Sequence, residues 1–89
     1  MREQEITVSN RLGLHARASA KLVQLVQRAK CSVMLVNNGR EVNAKSIMGV
    51  MMLAAGMGTA LTIRADGPDE EAALAAVAEL CERKFDEGA

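Results

Sequence analysis

Along this chain the spacing of apolar residues switches repeatedly between two and about 3.6, so each segment is apolar on one side only. Every such side needs another element to cover it. Residues 5–9 alternate and predict a strand with Ile6 and Val8 inward. Asn10, Arg11 and Gly13 break the alternation and predict a loop. From Ala16 to around Arg28 the period is helical. Ser19, Leu22, Val23, Val26 and Ala29 share one face, while Arg17, Lys21, Gln24 and Arg28 lie largely on the other. Residues 32–36 read as a second strand and 40–43 as its return. Between them, Asn37-Asn38-Gly39 predicts a tight hairpin turn whose central residues take positive φ. A short helix follows over 47–53, ended by Ala54-Ala55-Gly56 and Gly58. Residues 60–65 alternate again. Asp66-Gly67-Pro68-Asp69 then turns into a last helix with Leu74, Val77, Ala78 and Cys81 inward. Asp69, Glu70 and Glu71 suit its N-terminal end, and Arg83 and Lys84 suit its C-terminal end.

The order βαββαβα predicts an α+β fold in one domain over residues 1–89: a two-layer, open-faced sandwich. One sheet face is covered by helices and the other lies in water. The pattern does not set the strand order.

Charge and composition exclude several functions. Eleven Lys+Arg balance eleven Asp+Glu, which argues against nucleic acid as a partner and against a polybasic membrane anchor. Phe85 is the single aromatic residue, so stacking platforms for bases or sugars are not expected. The apolar run over 47–58 is too short and glycine-rich for a bilayer span of about 20 residues. No signal-type apolar stretch opens the chain, and a cytoplasmic location is expected. Cys31 and Cys81 read as buried free thiols, with a single disulfide as the alternative. One histidine and two scattered cysteines offer no metal site. Neither a nucleotide-loop motif nor any other cofactor motif is present, and no cofactor is expected.

Few residues remain to carry chemistry. His15, the single histidine, follows Gly13-Leu14 at the start of a helix, where backbone amides lack intrahelical partners and form an anion site. Arg17 adds a forked cationic donor suited to phosphate. In that field the ring is expected to stay neutral and nucleophilic, with a phosphoryl group held by the amides of Ala16 and Arg17 and by the Arg17 side chain. From spacing alone, a surface histidine beside a solvated arginine reads as well. A nucleophilic Ser–His pair using Ser9 or Ser19 lacks an acid partner. Ser46 reads as the N-cap of the short helix, or as a phosphorylation site at the same place. Of Ile47, Met48, Met51, Met52 and Met57, some should face the sheet and the rest offer an adaptable partner surface.

Gly13-Leu14-His15-Ala16-Arg17, with Lys45-Ser46-Ile47-Met48-Gly49-Val50-Met51, resembles the histidine-containing phosphocarrier family, HPr, of the bacterial phosphoenolpyruvate-dependent phosphotransferase system. The likeness covers essentially the whole chain. It implies a four-stranded antiparallel sheet with three helices on one face. It implies that His15 accepts phosphate on Nδ1 from phosphorylated enzyme I and gives it to IIA-type proteins, with Arg17 contacting the phosphate. It implies that Ser46 is a target for HPr kinase/phosphorylase, and that Ile47, Met48 and Met51 line a partner surface beside His15. The carrier would be a monomer and not an independent enzyme. One departure stands out: the family commonly has proline after the arginine, and here Ala18 and Ser19 follow. That pair resembles a proteobacterial branch, some of whose members serve nitrogen-type or regulatory systems instead of sugar uptake. Two other readings compete: a regulatory or interaction module of the same fold, acting through Ser46 and the methionine surface, and a small hydrolase. The joint presence of His15 and Arg17 favours the carrier.

Overall fold

The first strand reaches further toward the N-terminus than its apolar residues suggest. In the computed structural model, which describes residues 1–53 and 55–86, β1 spans Arg2–Thr7. Only Ile6 within it is buried; Val8 lies just beyond, also buried. The early start comes from antiparallel pairing with β4 (Ala60–Asp66), from Arg2 opposite Ala65 to Thr7 opposite Ala60. β4 also pairs with β2 (Ser32–Asn37), and β2 with β3 (Arg40–Asn43). The antiparallel order β1-β4-β2-β3 brings the first and last strands together, a neighbour relation set by the packed whole and absent from local pattern. The hairpin turn is as expected, with Asn38 at φ 51° and Gly39 at φ 80°.

Three helices follow the expected order: α1 (Ala16–Gln27), α2 (Ile47–Met52) and α3 (Glu70–Glu82). Ala18, Ser19, Leu22, Val23 and Val26 of α1 are buried, as are Ala73, Leu74, Val77, Leu80 and Cys81 of α3. Leu80 thus joins the expected stripe, and Ala78 sits at its margin. Facing them are Val33 and Leu35 of β2 and Leu61, Ile63 and Ala65 of β4, in one continuous core. On the opposite sheet face Arg64 pairs with Glu3 and Glu41 and ties β4 to both edge strands in contact with water. Both cysteines are free and buried; burial pushes the Cys81 thiol up to about 11. Ala54, expected to help end α2, lies outside the described residues, and α2 ends at Met52, with Leu53 as its C-cap.

Asp69 does not cap its own helix. It stands at the N-cap of α3, but its carboxylate accepts from the amides of Lys30 and Cys31, both at 2.9 Å, and so ties α3 to the entry of β2. Glu70 takes the local role and accepts from the Gly67 amide at 3.1 Å. Gly67 is required here, because a Cβ on it would lie 2.6 Å from the Cys31 Cα.

After α3 the chain makes a 3-10 turn over Lys84–Asp86, which periodicity did not reveal. Lys84, Phe85 and Asp86 all have positive φ, at 54°, 55° and 62°. The left-handed region costs a non-glycine residue about 1–2 kcal/mol. Complete burial of Phe85, worth about 1.5–3 kcal/mol, offsets part of the cost of three such residues. Polar ties supply more: Lys21 donates to the Phe85 carbonyl, and Arg83 to Asp86.

Candidate functional site

Gly13 sets the position of the candidate histidine. Its φ is +66°, and a Cβ would lie 2.4 Å from the Ala55 carbonyl oxygen, so only glycine lets the loop approach so closely. The Leu14 amide then donates to that same Ala55 carbonyl at 2.9 Å, and the Asn10 side chain donates to the Gly13 carbonyl at 2.7 Å. On the helix side, the Ser19 hydroxyl donates to the Leu14 carbonyl at 3.1 Å and the Ser19 amide to the His15 carbonyl at 2.8 Å. Buried Asn10 and Ser19 hold the loop in place from both ends.

His15 is the N-cap of α1, and its Nδ1 accepts from the Arg17 amide at 3.3 Å. The acceptor role fixes a lone pair on Nδ1 and directs it at the helix start. His15 is half-buried. Ala16 and Arg17 are exposed, and Ala18 is fully buried. Alanine at 18 leaves the helical first turn intact and packs into the core.

Beside His15 lies an open depression of about 680 Å³, lined by Arg11, Leu12, His15, Ala16, Arg17, Lys21 and Asp86. The sequence suggested no concavity. Arg11 read as a loop residue and Lys21 as a solvated helix charge. Their convergence with Asp86 depends on the C-terminal turn reaching α1, where Lys21 Nζ donates to the Phe85 carbonyl at 2.8 Å. The spacing of Arg17 and Lys21, one helical turn apart, was the available signal for Lys21. Among the described residues no group of three or more His, Cys, Asp or Glu could hold a metal ion.

Ser46 is the N-cap of α2, and its hydroxyl oxygen accepts from the Gly49 amide at 3.1 Å. The expectation that part of the methionine set faces the sheet is overturned. Met48, Met52 and Met57 are 72%, 61% and 65% exposed, and Ile47 and Met51 are exposed as well. Only Val50 of α2 is buried, and Leu53 and Ala55 just beyond the helix are buried in the core. A two-turn helix presents one residue row inward, and here that row is not methionine.

The family model described as the PTS HPr component phosphorylation site matches residues 2–83. A phosphocarrier protein HPr of Xylella fastidiosa is 56% identical over 98% of this chain and 98% of its own length. A phosphocarrier protein NPr of Shewanella violacea is 40% identical over 96% of this chain and 93% of its own. Among solved structures, HPr-C-His from Thermoanaerobacter tengcongensis superposes with TM-score 0.94 at 40% identity, covering 98% of both chains. No helix among the described residues is long and apolar enough to cross a membrane. The chain belongs to the HPr family, the phosphocarrier components of the phosphotransferase system.

Proposed function

We propose that His15 is the phosphoryl acceptor and donor of this carrier, taking the group on Nδ1 from phosphorylated enzyme I and passing it to IIA-type proteins. The observation that carries the proposal is the Nδ1 lone pair, aimed at the first turn of α1 in a depression walled by Arg11, Arg17 and Lys21. In the forward step the Nδ1 lone pair attacks phosphorus, the donor's bond to phosphorus breaks, and the Arg17 amide is released from the ring. The amides of Ala16 and Arg17 and the guanidinium of Arg17 then face the new phosphoryl oxygens. The chain supplies a nucleophile and an anion cradle and leaves acid–base assistance to its partners, so it acts as a carrier and not as an enzyme in its own right.

Ile47, Met48 and Met51 form part of the docking surface, where flexible thioethers suit several partners. Ser46 is proposed as a regulatory phosphorylation site for an HPr kinase/phosphorylase, and the protein as a cytoplasmic monomer. The test is incubation with enzyme I and labelled phosphoenolpyruvate. Acid-labile label on the wild type and none on a folded His15→Ala variant is the expected result; full labelling of the variant overturns the assignment.

A further inference from the structure

The wall of the His15 depression carries a carboxylate among its cations. Arg11, Arg17 and Lys21 contribute positive charge, and Asp86 contributes negative charge. Asp86 is held there from several sides. The preceding Phe85 is buried in the core, Arg83 Nε donates to the Asp86 Oδ1 at 3.0 Å, and Lys21 Nζ stands 3.9 Å from the Asp86 Oδ2. Lys21 also donates to the Phe85 carbonyl at 2.8 Å, so the same ammonium lines the depression and fixes the turn that brings Asp86 to it.

We propose that Lys21 and Asp86 form an opposed pair of rim charges that sets how tightly the phosphoryl group is held on His15. The inference rests on the carrier reading and concerns the equilibrium of transfer, not its occurrence. A carrier has to release the group as readily as it accepts it. A phosphoryl group in this depression is drawn by Arg11, Arg17 and Lys21, and cations acting alone would favour retention. The Asp86 carboxylate opposes part of that attraction. Lys21 acts in two ways: it attracts the phosphoryl oxygens, and it fixes the distance at which Asp86 repels them. The pair lies at the rim and is partly exposed, so solvent moderates each effect.

The two charges make opposite predictions, which a structural role alone would not. Wild type, Lys21→Gln, Asp86→Asn and Lys21→Arg are each equilibrated with catalytic enzyme I at a fixed ratio of phosphoenolpyruvate to pyruvate that leaves the wild type half phosphorylated. The acid-labile phosphorylated fraction is then measured. Gln at 21 keeps an N–H donor for the Phe85 carbonyl while removing the charge. Lys21→Gln should lower the equilibrium constant about 2- to 5-fold and Asp86→Asn should raise it by a similar factor. Lys21→Arg should stay within about twofold of wild type. Shifts in the same direction, or no shift beyond twofold, overturn the proposal. Lys21→Met and Asp86→Ser repeat the comparison, so misfolding of one variant does not decide it. If the wild type itself takes no acid-labile label, the carrier reading falls, and this inference with it.

Discussion

At the scale of single residues, two side-chain choices at the start of α1 do different work. Arg17 is exposed and buries little, so its removal should leave the fold alone and slow transfer through His15 by about 10- to 100-fold, the range for a charge-assisted contact. Rapid-quench phosphorylation by enzyme I checks this, with unfolding followed by circular dichroism; wild-type kinetics would make Arg17 a solvated charge. Gly13 is the converse case. Gly13→Ala combines positive φ with a clash against the Ala55 carbonyl and should destabilise the protein by about 1–3 kcal/mol from the backbone term alone. Urea unfolding measures it, and an unchanged midpoint would show that the loop relaxes freely. The placement of His15 and Arg17 at a helix start was legible, because a loop-breaking glycine followed by a change of period is a local signal. Arg11, Lys21 and Asp86 were not, since a charge on an exposed helix face or loop looks alike whether it is solvated or convergent with others.

At the scale of elements, α2 is the instructive case. Its N-cap was readable, because a hydroxyl before a helical run has one local use, and Ser46 does accept from Gly49. The orientation of its methionines was not readable. A six-residue helix is too short to show a period, and Val50 alone carries its buried side. The arrangement yields a prediction for Ser46. Phosphate there adds about −1.5 to −2 charge beside exposed Ile47 and Met48, and should inhibit phosphorylation of His15 without unfolding the chain. Ser46→Asp should act in the same direction and more weakly. Rates of phosphorylation by enzyme I for wild type, Ser46→Asp and the Ser46-phosphorylated protein decide it; equal rates reduce Ser46 to a helix cap. The hairpin and all four strands were visible in sequence because period and turn chemistry are local. The extra length of β1 was not, since Arg2 and Glu3 are strand residues through pairing with β4 and not through their own apolarity.

At the scale of the whole molecule, strand order and C-terminal turn depend on contacts between distant segments. Phe85 is the clearest example: a lone aromatic after a charged stretch has no periodic partner, yet it is sealed into the core in a left-handed turn. Asp69 is another such contact, with a consequence for acid stability. The Lys30 amide, together with Cys31, holds its carboxylate below the ordinary aspartate range. A folded-state value below the unfolded one means that Asp69 stabilises the protein fully above about pH 4. That contribution is lost as the pH falls through the lowered folded value. Glu70, held low first by the Gly67 amide, adds in the same direction. Asp69→Asn should therefore lower the melting temperature near neutral pH and flatten its decline on acidification. A variant whose acid limb parallels the wild type would show that the tie to β2 is energetically idle. The latch between Gly13, Leu14 and Ala55 bears on association. Because the histidine loop is fastened to the segment leaving α2, the proposed acceptor His15 and the exposed apolar residues of α2 would meet a partner as one preformed plate. On the proposed docking mode, ordering entropy on encounter would be confined to a few side-chain rotors, and one plate would serve unlike partners without refolding for each.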